Sequence, residues 1–491
     1  MPSRGHARCM RTNALTPTSP PNPWAALPVL LIGAFMVVLD FFIVNVALPS
    51  VATDLHAGDS SLEWIVAGYG LTFAAFLITS GRLGDQLGRR RVYAIGLGLF
   101  VVTSAACGLA PSPTTLVLAR IAQGVAGAVL MPQVLAIIGV TYRGPDYVRA
   151  LSLYGIVLGL AAVGGQVIGG ALVETDVAGL GWRWCFLINV PVGLAALALT
   201  PRLVPESRSE RAIRLDLPGA AAVAVGLTAI LLPLIEGREL GWPAWTWISL
   251  ALAPAILAGF VWRQRQLIRR GDDPLLDLTL FRERGFSAGL ATQFCLASAQ
   301  ASFFVFLALY LQLGRGLGPL EAGLVFTILA AAYVATSGPA PGLTARFGRS
   351  VVAFGGLSLT LGLVVLALVV SEIGTGGSVL VLAPGLLLVG AGIGLCFTPL
   401  TATVLAGVDP ARAGSAAGAL STMQQVGFAL GVAVTGVLFF GAADEGIAHA
   451  FELALVQLSA ASAGVVVMSR LLPRQARETG GRLAAAPATS R

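Results

Sequence analysis

Apolar runs long enough to cross a bilayer recur fourteen times along this chain. They lie at roughly 28–49, 62–80, 92–110, 114–138, 149–173, 184–201, 217–235, 245–262, 286–313, 319–340, 351–371, 379–405, 413–440 and 451–472. A helix spans the hydrocarbon with about 20 residues, and backbone placed in lipid must satisfy its own hydrogen bonds. The runs therefore predict an all-α polytopic membrane protein. Composition agrees: 11% of the residues are charged, against about a quarter in soluble domains.

The basic residues set the topology. All 31 are arginine, a usage that points to a GC-rich bacterial genome. With the N-terminus inside, the connections and tails facing the cytoplasm hold 27 of the 31, and those outside hold Arg183, Arg238 and Arg315. Arg120 lies within a run. Positive charge concentrates on the cytoplasmic side of membrane proteins, so both termini are expected in the cytoplasm of a bacterium bounded by its inner membrane. A net charge of +7 would suggest nucleic acid in a soluble protein. Here the bilayer surface accounts for it, and no nucleic acid is expected. The Pro/Ser/Thr-rich N-terminus leads straight into a full-length run with no convincing cleavage site, so no removable signal peptide is expected.

An internal repeat divides the chain. PGLTARFGRS (341–350) follows the tenth run as GRLGDQLGRR follows the second, with Gly348-Arg349 matching Gly88-Arg89 and Ala345 answering Asp85. The expected plan is a cytoplasmic tail (1–27), a six-helix half (28–204), an extra helix pair (217–262), a cytoplasmic linker (263–285), a second six-helix half (286–472) and a second cytoplasmic tail (473–491). Trp242, Trp245 and Trp247 between the extra helices suit an interfacial aromatic belt. Parallel halves around a midplane cavity are a common transporter architecture.

Three stretches carry chemistry. GRLGDQLGRRR (81–91) reads as a tight cytoplasmic turn between the second and third runs. Its glycines allow close backbone approach, and Asp85 is the one acid among four arginines, free to pair locally or to cap a neighbouring helix. Asp40 and Arg120 read as the two charges well inside runs, each costing about 2.5–3.5 kcal/mol at a helix centre, so both should face protein or water. Desolvation favours a protonated carboxyl and a nearby guanidinium favours the ionised one. Relative motion of the two helices could therefore load and release a proton; a static buried pair that fixes helix register is the competing reading. The fifth run, GIVLGLAAVGGQVIGGAL (155–172), spaces Gly155, Gly159, Gly165 and Gly169 at about four residues, and Gly427 and Gly431 repeat that spacing in the thirteenth. Asn45, Gln123, Gln166, Gln293, Gln300, Gln424 and Gln425 are candidate cavity polars or helix–helix hydrogen-bonding residues.

Enzyme chemistry is not expected. The five cysteines have no metal or redox spacing, His6, His56 and His449 sit at edges, and no GxxxxGK[ST] loop supports an ATP-driven pump.

Together LDFFIVNVALP (39–49), GRLGDQLGRRR, RIAQGVAGAVLMPQ (120–133), the glycine run, WRWCFLINVPVG (182–193), DLPG (216–219) and AGSAAGALSTMQQVGFALG (413–431) are specific. The chain resembles, along nearly its whole length, the fourteen-helix drug/proton antiporter group of the major facilitator superfamily. The resemblance implies the major facilitator fold and proton coupling through Asp40 and Arg120. It also implies a conformational latch at Gly81, Asp85, Gly88, Arg89 and Arg90, and an antiporter-motif helix containing Gly159, Gly165, Gln166, Gly169 and Gly170. Two positions depart from the group: its Gly-Pro on the fifth run is Gly165-Gln166, and the polar residue two after the first-run acid is Phe42. The implied function is export of a hydrophobic or amphiphilic small molecule by a monomer in the bilayer, with no cofactor beyond the proton gradient. A dedicated exporter of an endogenous metabolite, siderophore or lipid would share the fold, and a non-transporting receptor would not need Asp40 or Arg120.

Overall fold

The computed structural model describes residues 23–208, 216–272, 274–276, 278–406, 408 and 413–472. The expected tails, apart from 23–27, lie outside the described residues. Fourteen helical segments among those described are long and apolar enough to span a membrane, and no strand occurs among them.

In the first half these are α1 (Pro23–Leu55), α2 (Asp59–Leu87), α3 (Arg89–Gly108), α4 (Pro113–Thr141), α5 (Gly144–Thr175) and α6 (Asn189–Leu203), the last entered through a turn at Trp184–Leu187. Then come α7 (Leu217–Glu239) and α8 (Ala244–Arg270). The second half holds α9 (Arg284–Leu309), extended by a wide turn at Tyr310–Gly314, and α10 (Pro319–Ser337), α11 (Ser350–Ile373), α12 (Ala383–Ala406), α13 (Ala413–Gly441) and α14 (Ile447–Ser469). A short helix, Ala340–Phe347, follows α10. The helices alternate in direction, so one face collects the arginine-rich ends and the other carries Arg183, Arg238 and Arg315. Each of these three is engaged, with Asp54, with Asp59, and with the Gly377 carbonyl.

Glycine lets the helices meet backbone to backbone. A Cβ on Gly169 would lie 2.9 Å from the Ile43 carbonyl oxygen of α1, and one on Gly431 would lie 2.6 Å from Ser298 Cα of α9. The fifth helix of each half thus seats on its first in the same way. Two seams join the halves, α2 against α13 and α5 against α10. Under the internal repeat these are one contact made twice. Helix α7 packs on the α2–α13 seam, whereas α8 buries few residues, among them Thr246, Ala253, Phe260 and Gln264.

Two expectations need correction. GRLGDQLGRRR is not an interhelical loop: α2 continues to Leu87, α3 starts at Arg89, and Gly88 alone makes the turn, at φ +101°. Charge lowers hydropathy at a helix end without breaking the helix. Asp40 and Arg120 are also not the only deeply buried charges. Helix α2 begins at Asp59, which places Glu63 a turn inside it, and Glu63 is 3% exposed.

Asp216 caps α7, accepting from the Gly219 amide at 3.0 Å, from Gln264 Nε2 at 2.7 Å and from Arg263 Nε at 2.8 Å. Burial alone would raise this carboxyl; the hydrogen bonds from Gln264, Arg263 and Gly219 outweigh it and hold the pKa below the ordinary value. The cap's contribution is therefore fully present at neutral pH and fades as the pH falls through that depressed value. Asp216→Ala is expected to cost about 1 kcal/mol, seen as a lower unfolding temperature at pH 7 and a smaller difference from wild type in strong acid.

Candidate functional site

The centre of the first half holds a buried polar network, in which Arg120 Nη2 and Asn189 Oδ1 have no hydrogen-bond partner among the described residues. Asp40 and Arg120 are both fully buried and form an ion pair through Oδ2 and Nη1. Gln123, one turn after Arg120 on the same face, accepts from Arg120 Nη1 at 2.8 Å and donates to Asp40 Oδ1 at 2.9 Å. Asn189 at the start of α6 donates to the same Oδ1 at 2.8 Å. Ser104 of α3 accepts from Gln123 at 2.8 Å and from Asn189 at 3.3 Å. Arg120 Nε donates to the Ile65 carbonyl of α2 at 3.0 Å, and the guanidinium lies 4.3 Å from the Tyr69 ring centroid. Five helices, α1, α2, α3, α4 and α6, thus meet at one carboxylate–guanidinium pair. Asn189, Ser104 and Tyr69 are members that sequence reasoning missed. Asn189 stood inside the WRWCFLINVPVG motif, and Tyr69 and Ser104 gave no linear signal.

A buried pair of this kind persists because its desolvation is offset by hydrogen bonds to each partner; removal of one partner strands the other. Asp40 Oδ1 accepts from two side-chain amides and Oδ2 from the guanidinium, so every side-chain partner of this carboxyl is a donor.

Next to Asp40 the chain places Phe41 and Phe42, and these reach across to the second half. Phe41 stacks on Phe428 of α13 at 4.9 Å between centroids, and Phe42 meets Phe304 of α9 at 5.2 Å. Phe304 in turn meets Phe326 of α10 at 5.4 Å. The inter-half contact at the membrane centre is thus a run of phenylalanine rings one residue from the buried acid.

The other predicted residues fall elsewhere. Gln166 donates to the Phe42 carbonyl at 3.0 Å, tying α5 to α1 at the position where the resembled group has proline. Asn45, Gln293 and Gln300 are buried, with Asn45 Oδ1 and Gln300 Oε1 lacking hydrogen-bond partners among the described residues. Gln424 and Gln425 are half-buried on α13. Asp85 pairs with Arg89 at 2.7 Å, within its own turn. The Arg89 amide donates to the Ser207 carbonyl at 2.9 Å, and the Arg90 amide to Glu206 Oε1 at 3.1 Å. The turn is therefore anchored on the segment after α6, through Glu206, which sequence reasoning missed. A Cβ on Gly81 would make ordinary contact with Pro132 at 3.8 Å, whereas one on Gly84 would fall 1.8 Å from Gln133 Oε1.

The halves close on the face opposite the arginines. A Cβ on Gly170 would lie 2.4 Å from the Pro319 carbonyl oxygen, and one on Gly323 would lie 2.5 Å from that of Gln166. Gln312 Nε2 also donates to the Val46 carbonyl at 2.9 Å across the halves. A Cβ on Gly159 would lie 3.2 Å from the Tyr333 ring, but one on Gly155, one turn nearer the arginine-rich face, would meet nothing within 4 Å among the described residues.

Comparison with known proteins matches this arrangement. The sequence profile of the Major Facilitator Superfamily fits residues 30–432. The chain is 37% identical over 457 residues to a probable actinorhodin transporter of Streptomyces coelicolor, covering 91% of this chain and 78% of that protein. It is 36% identical over 486 residues to the puromycin resistance protein pur8 of Streptomyces alboniger, covering 94% of each. Among solved structures, a POT family transporter in complex with 5-aminolevulinic acid superposes with a TM-score of 0.67 at 14% identity, over 91% of this chain and 97% of that one, a likeness of fold. Profile, relatives and fold agree: the chain is a multi-pass membrane protein and belongs to the Major Facilitator Superfamily of transporters.

Proposed function

We propose that this protein exports hydrophobic or amphiphilic small molecules across the bacterial inner membrane in exchange for protons. Two six-helix halves, 28–204 and 286–472, rock about a central site, and the arginine-rich face with both termini lies in the cytoplasm. The observation that carries this reading is the buried Asp40–Arg120 pair set one residue from phenylalanines that bridge the halves. An aromatic substrate that inserts among Phe41, Phe42, Phe304 and Phe428 would bear directly on the helix that carries Asp40 and favour the ionised Asp40–Arg120 pair, which protonation of Asp40 breaks. Proton binding at Asp40 and substrate binding at the rings then compete, which is the requirement for exchange.

Relatives named for resistance to, or export of, puromycin and tetracenomycin C support this substrate class. Energy supply is adequate: one charge crossing 100 mV yields about 2.3 kcal/mol, and a tenfold gradient of a neutral solute requires about 1.4 kcal/mol. The close approach at Gly170 and Gly323, with open space beside Gly155 among the described residues, fits a state sealed toward the outside. A second reading, export of one compound made by the producing cell, is favoured by the relatives named for actinorhodin and cephamycin.

Expression in a pump-deficient host, followed by toxicity screening with and without a protonophore, tests the proposal. Resistance to several aromatic antibiotics that the protonophore removes is the expected result; unaltered sensitivity throughout would refute it. The turn at Gly88 offers a further test. Gly88 adopts a backbone conformation suited to glycine, and a Cβ there would fall 2.8 Å from Glu206 Oε1. Gly88→Ala is expected to cost about 1–3 kcal/mol in the state described and to slow export severalfold, read as initial rates in everted vesicles. Asp85→Asn, which removes the Arg89 pair, should slow it in the same assay.

A further inference from the structure

Glu63 is a buried acid that the central network does not use. It lies on α2 at the seam with α13, near the face opposite the arginines, and is 3% exposed. Its Oε2 has no hydrogen-bond partner among the described residues. The carboxyl presses on the backbone of α13, for a Cβ on Gly436 would lie 2.5 Å from both Cδ and Oε2. The seam therefore closes directly over this group.

The charges around it are already committed. Asp59, on the same helix, pairs with Arg238 of α7 at 2.9 Å. Glu236 of α7 accepts from Trp64 Nε1 at 2.8 Å, and Glu239 of α7 accepts from the Ser60 amide at 2.9 Å and its hydroxyl at 3.0 Å. Arg238 also stacks over the Phe440 ring of α13, 5.4 Å from its centroid. The contact from α13 is Gly436, which brings no charge. Three acids and one arginine thus surround Glu63, and its local field is negative before Glu63 is counted. An ionised, unpartnered carboxylate shut into that seam would pay its full desolvation penalty against like charges.

We propose that Glu63 is a second proton-binding site, and that the α2–α13 seam closes on this face when its carboxyl is protonated. The proton comes from water on that side as the O–H bond forms, and returns there when the helices part and the carboxylate is rehydrated. Closure of the outer gate is thereby coupled to acidity on its own side, separately from Asp40. The inference rests on the alternating-access reading above, and adds a role for the extra pair: α7 supplies the acids that keep Glu63 from closing in ionised form.

The test is a distance measurement. Spin labels at Gly58→Cys and Gly441→Cys, both at exposed positions, in a background with the native cysteines changed to serine, report the seam in lipid nanodiscs. With Glu63 present, the population at long distance should grow as the pH rises, by up to about tenfold per pH unit for one linked proton. Glu63→Gln should hold the short distance at every pH, Glu63→Asp should keep a pH response, and Gly436→Ala should lengthen the distance throughout. A Glu63→Gln protein with the wild-type pH response, or a wild-type seam indifferent to pH, would overturn the proposal. Asp40→Asn should leave this response intact while export is lost. Export insensitive to a protonophore, with the seam response intact, would instead count against the exchange reading alone.

Discussion

Asp40→Asn is expected to bring proton-driven export down to the passive leak and to destabilise the protein, and Arg120→Gln to do the same. The two effects have different origins and can be separated. In either single variant one charge stays fully buried without its counter-ion, an arrangement that costs about 3–5 kcal/mol. Asp40→Asn leaves Arg120 with the Gln123 and Ile65 oxygens as acceptors, which orient a guanidinium but do not neutralise it. The double variant Asp40→Asn/Arg120→Gln removes both charges, with Asn isosteric with Asp and Gln a shorter amide in place of Arg. It should recover much of the lost stability, because neither position then leaves an uncompensated buried charge. It should not recover export, because nothing at the centre then binds and releases a proton. Thermal unfolding read beside efflux in everted vesicles, with puromycin and other aromatic antibiotics as probes, distinguishes the two. A double variant that regains protonophore-sensitive export would assign the pair a structural role only.

The second large effect belongs to the α5–α10 seam. Gly170→Ala and Gly323→Ala each place a Cβ within 2.5 Å of a backbone carbonyl oxygen in the other half. Backbone cannot swing aside as a flexible side chain does, so the overlap is relieved by separating the helices. Overpacking costs about 1–3 kcal/mol, which in a two-state gate is roughly a 5- to 150-fold shift in population. Each substitution stays within its own helix and should leave the fold intact while biasing the face opposite the arginines toward open. Gly155→Ala, where a Cβ meets nothing within 4 Å among the described residues, is the internal control and should export normally. Spin labels across α5 and α10 would register the shift. Unchanged distances in Gly170→Ala and Gly323→Ala would mean that this seam is not the gate.

Much of this architecture is legible in the sequence because the bilayer is a demanding solvent. Apolar length and arginine placement give fourteen spans and one arginine-rich face, and the cost of charge in lipid isolates Asp40 and Arg120 as a pair before any contact is known. The partners Asn189, Ser104 and Tyr69 were not legible. Neutral polar groups in apolar helices are common, and what distinguishes these three is where five helices converge. Glu63 escaped notice because its depth depends on α2 starting at Asp59, ahead of the apolar run itself. The latch sequence misled for the opposite reason: charge density suggested a loop where the chain continues as helix to Leu87 and turns on Gly88 alone. Gln166 shows a local substitution whose meaning needed coordinates, since it ties α5 to the Phe42 carbonyl at a position where the resembled group carries proline.

The most direct measurement of the central claim is proton release on substrate binding, followed in weakly buffered detergent solution with a pH-sensitive dye. Puromycin added to the wild-type protein should release protons, and the same addition to the stability-restored Asp40→Asn/Arg120→Gln protein should bind without releasing any. Equal release from both proteins would contradict the account, because the proton would then come from a group other than the buried carboxyl beside Phe41.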